Sequence, residues 1–201
     1  MKELARAQET GTEASPGTGS GSWDIVLQDN RDYVYRLACH LSGNMHEAED
    51  ITQETLMKAF EHRAGFRGEA SVRTWLSRIA VNTYLASRRK DGRVTAVGTR
   101  LEGARDFLDS PEYLVVRGEF LQCIHYLLQY YCRPSDRAIL VMRDINGLKY
   151  QDISEVLGIT LAAVKTRLHR ARRAFRDLLI REGCVALVNG GRCVCEGVRD
   201  L

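Results

Sequence analysis

Residues 150–175 read YQDISEVLGITLAAVKTRLHRARRAF, and this stretch decides the fold of the second half of the chain. Its apolar spacing predicts a short helix over residues 149–157, which Gly158 ends, and a longer helix that begins after Thr160. Thr160 is a suitable N-cap because its hydroxyl can accept a hydrogen bond from a free N–H of the first turn. Two helices joined by residues 157–160 have the spacing of a helix-turn-helix motif.

The longer helix separates apolar from polar side chains. Its apolar positions are predicted to face inward, and they are Leu161, Val164, Leu168, Ala171, Phe175 and Leu178. The outward positions are Lys165, Thr166, His169, Arg172, Arg173 and Arg176. Between residues 160 and 181, seven Lys or Arg stand against one acid, Asp177. This excess of one sign favours a helix that reads the major groove of DNA over an amphipathic helix that is merely solvated.

Working outward from this motif, a further helix is predicted over residues 136–145, and Asn146-Gly147 breaks it. The first half of the chain is helical too, with apolar faces at helical spacing in residues 30–41, 48–59 and 72–86. Residues 47–61 carry five acids against one basic residue, Lys58, which indicates a basic partner or a solvated face. No strand alternation of useful length occurs, so the predicted fold class is all-α.

The composition limits the class of protein. The chain has 201 residues, of which 44% are hydrophobic and 27% charged, with a formal net charge of +3. These values are typical of a soluble globular protein, and no apolar run approaches the roughly 20 residues of a membrane-spanning helix. No N-terminal stretch resembles a signal peptide, which predicts a cytoplasmic protein whose six cysteines do not form a disulfide framework.

Changes in composition divide the chain into five parts. Residues 1–22 are rich in Gly, Ser and Thr and are predicted to be a disordered arm. Residues 23–90 and 112–182 are two small helical domains, joined by a flexible linker over residues 91–111 that loses helical periodicity. Residues 183–201 are a tail that contains three cysteines.

Three stretches in this order resemble the bacterial extracytoplasmic-function (ECF) sigma factors of the sigma-70 family. They are AEDITQETLMKAF (residues 48–60), FRGEASVRTWLSRIAVNTYL (residues 66–85) and the helix-turn-helix stretch quoted above. The resemblance covers about residues 25–182. It implies that residues 23–90 are sigma region 2, which binds RNA polymerase core and the −10 promoter element. It also implies that residues 112–182 are sigma region 4, which binds the −35 element.

The resemblance also implies roles for individual residues. The β′ clamp of the polymerase is expected to contact Asp50, Gln53, Glu54 and Lys58. The single-stranded −10 element is expected to contact Arg67, Gly68, Glu69, Ala70, Ser71, Arg78, Asn82, Arg88 and Arg89. Trp75 lies on the apolar stripe, which favours a core role over base stacking, and Asn82 has the alternative of capping a neighbouring turn.

In region 4, the resemblance implies that the duplex −35 element contacts Lys165, Thr166, His169, Arg170 and Arg173. The first helices of this domain are expected to rest on the β flap of the polymerase. One departure is that the family commonly has a Leu-Pro pair before region 4, whereas here Pro134 comes slightly later, after Tyr130, Tyr131 and Cys132. This departure leaves the start of the domain open.

The cysteine tail has two interpretations. Cys193 and Cys195 can reach one soft metal ion, with Cys184 as a third ligand and Cys123 or His125 as a fourth. The tail resembles those of metal-responsive sigma factors, which implies a zinc or copper ion or a thiol switch. The alternative is that these cysteines are reduced and unpaired, while Cys39 is a small core residue.

The interpretation that follows is a sigma factor and not an enzyme. It requires no cofactor, does not insert into membranes, and has RNA polymerase core, promoter DNA and a possible anti-sigma factor as partners. One alternative is a one-component helix-turn-helix regulator that binds duplex DNA without polymerase. The other is a thiol oxidoreductase or metal-handling enzyme, which requires a reactive cysteine in an electropositive pocket.

Overall fold

The computed structural model describes residues 20–90 and 119–182, and every regular element in these two ranges is helical. In chain order the elements are α1 (Ser20–Ser42), α2 (Met45–Glu61), a 3₁₀ turn (Arg63–Gly65), α3 (Val72–Lys90), α4 (Glu119–Tyr131), α5 (Pro134–Leu140), a π-helical turn (Val141–Ile145), α6 (Tyr150–Leu157) and α7 (Leu161–Arg181). The predicted all-α fold class is confirmed. Within the described ranges, none of the helices is both long and apolar enough to cross a lipid bilayer.

Helices α1, α2 and α3 pack against one another as a three-helix unit. The apolar face predicted for α1 is completely buried, since Val34, Leu37 and Leu41 have no exposed surface. Asn44 starts α2 by accepting a hydrogen bond from the N–H of Glu47 at 3.0 Å. The apolar faces of these helices pack as predicted. Helix α1, however, begins at Ser20, before the predicted stretch 30–41 and inside the stretch 1–22 that was predicted to be a disordered arm. The physical reason is that Trp23 and Leu27, one turn apart, are both buried and extend the apolar face of α1 toward its start.

Helices α4 to α7 form the second unit, which contains the helix-turn-helix. Pro134 occupies the first turn of α5, where a missing N–H costs nothing. The helix predicted over residues 136–145 thus begins slightly earlier, at Pro134. Its last turn is π-helical, because the N–H of Asn146 donates to the carbonyl of Val141, five residues earlier, at 2.9 Å. Gly158 ends α6 in the left-handed conformation with φ 63°, as its position in the turn predicts.

The two units share one apolar core. A single cluster of buried side chains includes Leu76 and Ala80 from α3 and Ile153 and Val156 from α6. Helix α3 packs directly on α6, and α1 contacts α4, α5 and the π-helical turn. The sequence pattern predicted two domains on a flexible linker, and residues 91–118 lie outside the described ranges. What the structure adds is that the two units are packed together.

One predicted core residue is placed differently. Leu161 was expected to face inward with Val164 and Leu168, but 39% of its surface is exposed, whereas Val164 and Leu168 are buried. The physical reason is its position: Leu161 is the first residue of α7, at the edge of the apolar stripe, and no preceding turn of helix covers it. The other inward positions of α7 lie against the core as predicted.

Candidate nucleic-acid interface

The outer side of α7 is a continuous polar surface, named here the α7 basic face and defined by Lys165, Thr166, His169, Arg170 and Arg173. All five side chains are exposed, whereas Val164, Leu168 and Ala171 bury the opposite side of the helix. Thr160 caps the helix by accepting from the N–H of Ala163 at 3.2 Å, which confirms its predicted role. The inner side therefore anchors α7 and leaves the outer side free.

Ion pairs divide the cations of α7 into two groups. Arg172 donates to the carboxylate of Asp144, with 3.1 Å between Nε and Oδ2, and this hydrogen bond raises the pKa of its guanidinium. Arg176 pairs with Asp177 at 3.4 Å near the C-terminal end of the helix. Within the described ranges, the cations of the α7 basic face make no ion pair. Their charge is therefore available to a polyanion.

The loop that precedes α3 is built to hold an exposed turn. Arg67, Gly68 and Glu69 are exposed, and Gly68 has φ 72°, which a residue with a side chain adopts only with strain. Ser71 is half-buried because its hydroxyl caps α3: it accepts from the N–H of Thr74 at 3.1 Å and lies 2.9 Å from Oγ1 of Thr74. Ala70 is half-buried as well.

An aromatic cluster that the sequence analysis did not identify supports this loop. Trp75 contacts Phe66 and Trp23, with ring centroids 5.2 and 5.7 Å apart, and Trp23 contacts Phe66 at 5.4 Å. Trp23 is only 5% exposed. Trp75 therefore packs between α1 and the loop, which agrees with the core role favoured by its position on the apolar stripe. In the sequence, Trp23 near the start of α1 was the one signal that could have indicated this cluster.

The outer surface of α3 carries three of the four other residues predicted for the −10 element. Arg78, Asn82 and Arg89 are exposed and recur at helical spacing, so they line one side of the helix. Arg88 does not join them, because it forms an ion pair with Glu47 of α2 and lies over the ring of Tyr84. In this conformation Arg88 ties α2 to α3.

The acidic surface of α2 belongs to the same three-helix unit. Asp50, Gln53 and Glu54 are exposed at a spacing that places them on one face, while Lys58 pairs with Glu54 at 2.6 Å and donates to Oγ1 of Thr83 at 3.2 Å. Met57, which the sequence analysis did not select, lies on this face and is 57% exposed. The face thus combines acids with one apolar side chain.

The described cysteines do not form a metal or catalytic centre. Cys39 and Cys132 are buried, and burial raises the pKa of each thiol to about 11. No group of three or more His, Cys, Asp or Glu side chains converges within the described ranges. His125 stacks on His40, with centroids 5.1 Å apart, at the contact between the two units. Cys184, Cys193, Cys195 and the side chain of Cys123 lie outside the described residues.

In the described ranges, the chain is thus a helical protein with three features: a helix-turn-helix whose outer cations make no ion pair, a second basic helix, and an acidic helix. A helix-turn-helix with an exposed basic face is typical of DNA-binding proteins. The family models for sigma-70 region 2 and sigma-70 region 4 match residues 26–94 and 133–175. The chain belongs to the ECF RNA polymerase sigma factors, a family of transcription initiation factors.

The similarity to known members extends over most of the chain. This chain is 34% identical over 185 residues to the ECF RNA polymerase sigma factor SigE of Mycolicibacterium smegmatis, and the alignment covers 87% of this chain and 69% of that protein. It is 35% identical over 150 residues to the RNA polymerase sigma factor YlaC of Bacillus subtilis, covering 72% and 82%.

A solved structure supports the fold. The sigma factor RpoE of Bartonella quintana, in complex with the anti-sigma factor NepR, matches 78% of this chain and 96% of its own, with a TM-score of 0.58 and 24% identity. The two family models and the curated relatives confirm the predictions of an ECF sigma factor and of sigma regions 2 and 4, and the solved structure agrees in fold.

Proposed function

We propose that this chain binds RNA polymerase core through α2, opens the −10 element with α3 and its preceding loop, and reads the −35 duplex with α7. The observation that carries the proposal is that both sigma regions are present in order and that each presents an exposed surface of the appropriate charge. Nucleotidyl transfer belongs to the polymerase, and such a factor acts in the cytoplasm.

The role of α7 rests on the chemistry of its basic face. Lys165 and Arg170 are long donors that can reach base edges or phosphates, and Arg173 follows one turn later. A helix whose apolar side is anchored in a core can enter the major groove without unfolding its domain. Among the described residues these cations are exposed and have no carboxylate partner, which supports the assignment of Lys165, Thr166, His169, Arg170 and Arg173 to the −35 element.

The role of α3 and its loop rests on a different combination of features. Single-stranded DNA binds to surfaces on which cations follow the backbone while a pocket receives an unstacked base. Arg78 and Arg89 provide charge along α3, Asn82 provides an amide between them, and the loop 67–71 projects beside the start of the helix. Arg88 would join this surface only after leaving Glu47.

The role of α2 rests on charge and on one apolar anchor. Asp50 and Glu54 provide the negative charge that a basic helix of the polymerase clamp requires, and Gln53 lies between them. Met57 adds an exposed apolar side chain of a type that is enriched at protein–protein interfaces. We therefore add Met57 to the expected polymerase contacts.

In vitro transcription with bacterial core polymerase and a pool of genomic fragments tests the proposal. The full chain should direct initiation at a limited set of start sites. Asp50→Asn/Glu54→Gln should weaken co-purification with core, whereas Asp29→Asn, which removes an exposed acid from α1, should not. Lys165→Ala/Arg170→Ala should reduce promoter binding while core binding is retained. Failure to bind core, or binding without start-site selection, would overturn the proposal.

The same experiment distinguishes a sigma factor from the alternative, a one-component helix-turn-helix regulator. A one-component regulator would bind duplex DNA specifically without core polymerase and would be indifferent to the α2 substitutions. The family match over residues 26–94, which such a regulator does not need, favours the sigma factor.

We further propose that an anti-sigma factor binds this chain, as NepR binds the sigma factor RpoE, and that the cysteines of the tail respond to metal or to oxidants. The support for the cysteine response is the sequence spacing of Cys193 and Cys195, with Cys184 nine residues before Cys193 and Cys123 earlier in the chain. Zinc or copper added to the transcription reaction should change its yield, and Cys193→Ser/Cys195→Ser should abolish that response. If metals and oxidants leave the yield unchanged, or change it equally in the wild-type chain and the variant, the cysteines are reduced and unpaired.

A further inference from the structure

The first turn of α7 differs chemically from the turns that follow it. Ala162 is exposed and offers only a methyl group. Thr166 is exposed as well, but its hydroxyl donates to the carbonyl of Ala162 at 3.0 Å, so its methyl group and acceptor lone pairs remain available. Leu161, at the edge of this surface, is 39% exposed. The start of the helix is therefore apolar, although it faces solvent.

Helical geometry places this apolar surface at the centre of the proposed DNA interface. Ala162 and Thr166 are four residues apart and lie on one face, which His169 and Arg173 continue. Lys165 and Arg170 lie to either side of Thr166 on the α7 basic face. The cations are thus placed to contact the flanks and the phosphates, while methyl groups occupy the middle of the first two turns.

Major-groove chemistry gives this arrangement one natural target. Guanine is recognised by a donor that reaches N7 and O6, and adenine by an amide that reaches N6 and N7. Ala162 and Leu161 have neither, and the hydroxyl hydrogen of Thr166 is already engaged. Thymine differs from the other three bases by its 5-methyl group, which makes apolar contacts with Ala and Thr side chains.

We propose that the start of α7 reads the 5-methyl groups of thymine in the −35 duplex, through Ala162 and Thr166 and, at the edge, Leu161. This inference rests on the proposed function, because it assumes that α7 enters the major groove at the −35 element. Beyond that function, it predicts that the −35 element must contain thymine where the start of α7 contacts it. Loss of a buried methyl contact should weaken binding by about fourfold.

The first experiment removes the methyl group from the DNA. The full chain with core polymerase selects −35 duplexes from a library in which this segment is randomised, and each thymine of the selected element is then replaced by deoxyuridine. Binding should weaken by about fourfold at one or two positions and remain unchanged at thymines outside the element. Equal binding of both duplexes at every position, or an element without thymine, would overturn the inference.

The second experiment removes the methyl group from the protein. Thr166→Ser deletes one methyl group and keeps the hydroxyl, and Leu161→Ala shortens the edge residue. Each variant should bind the thymine duplex less tightly, and its preference for thymine over deoxyuridine should shrink, because both changes remove the same contact. Full retention of the preference in both variants would contradict the inference. Ile180→Ala, which truncates an exposed apolar residue at the far end of α7, is the matched control.

The two proposals fail in different ways. If Lys165→Ala/Arg170→Ala weakens the binding of every duplex while thymine and deoxyuridine bind equally, only the methyl readout is wrong. If the chain and core polymerase select no sequence, or these two substitutions have no effect, the assignment of α7 to the −35 element is wrong, and the inference is overturned with it.

Discussion

Arg137 is a buried arginine that joins the two units through backbone carbonyls. It is 3% exposed, and its guanidinium donates to the carbonyls of Leu41 in α1 (2.9 Å) and Leu128 in α4 (2.7 Å). It also donates to Oε1 of Gln129 at 2.6 Å and to the Gln129 carbonyl. Within the described ranges it has no carboxylate partner. Carbonyls at the ends of two helices, where the dipoles are negative, therefore stabilise the cation.

Removing the Arg137 side chain should strongly lower the free energy of unfolding. Arg137→Ala leaves several buried acceptors without a donor, so we expect a loss of at least about 3 kcal/mol in the free energy of unfolding, measured by urea denaturation. Arg137→Lys should lose less, because it keeps the charge but not the planar fork. Arg143→Ala is a control, since Arg143 donates to one carbonyl, that of Leu148, at 2.8 Å. Similar losses for Arg137→Ala and Arg143→Ala would contradict this account.

Buried thiols provide a second test on individual side chains. Burial raises the pKa of Cys39 from an ordinary value of 9.0 to about 11, so the folded chain retains a proton that the unfolded chain has lost. The free energy of unfolding should therefore fall as pH rises from about 9 to about 11, by about 2 kcal/mol for this thiol. Urea denaturation at pH 8 and pH 10.5 should show a smaller fall in Cys39→Ala. An equal fall in both proteins would assign the effect to other groups.

Helix α7 illustrates how an element combines a local signal with a tertiary anchor. Its start is marked by Thr160, its apolar side by residues spaced three and four apart, and its outer side by an excess of Lys and Arg over acids. All three features are readable in the sequence, because each depends on neighbours within one or two turns. The exposure of Leu161 was not readable, because it depends on what covers the end of the stripe.

The cap of α7 has a measurable value. Thr160→Ala removes the acceptor for the N–H of Ala163 and should lower the free energy of unfolding by about 1 kcal/mol. Thr160→Ser keeps this acceptor and should have a much smaller effect. Thermal or urea denaturation of the three proteins provides the measurement. If the alanine and serine variants are equally stable, the hydroxyl of Thr160 does not stabilise the first turn.

The packing of the two units is a property of the whole chain. Gly43, between α1 and α2, has φ 70°, and a Cβ at this position would overlap the side chain of Gln129 in the second unit. Gln129 donates to the carbonyl of His40 at 3.2 Å and accepts from Arg137. The end of α1 thus lies directly against α4, and the shared core continues from α3 to α6.

Two glycines with the same backbone conformation separate strain from packing. Gly147 also has φ 70°, but nothing lies within 4 Å of a Cβ built on it. Gly147→Ala should therefore cost about 1–2 kcal/mol from backbone strain alone, whereas Gly43→Ala should cost about 1–3 kcal/mol more from the overlap with Gln129. Urea denaturation of both variants measures the difference. Equal losses would mean that the units do not approach each other at Gly43 in solution.

The sequence alone was sufficient for the all-α class, the helix-turn-helix, the cap at Thr160 and the acidic and basic surfaces. Helical period, capping and charge are set by residues within a few positions of one another, so they are visible before folding. The pairing of Arg88 with Glu47, the burial of Arg137 and the shared core depend on residues about 40 to 100 positions apart. Only tertiary packing brings such residues together, and no local pattern encodes which distant carbonyl or carboxylate a side chain will meet.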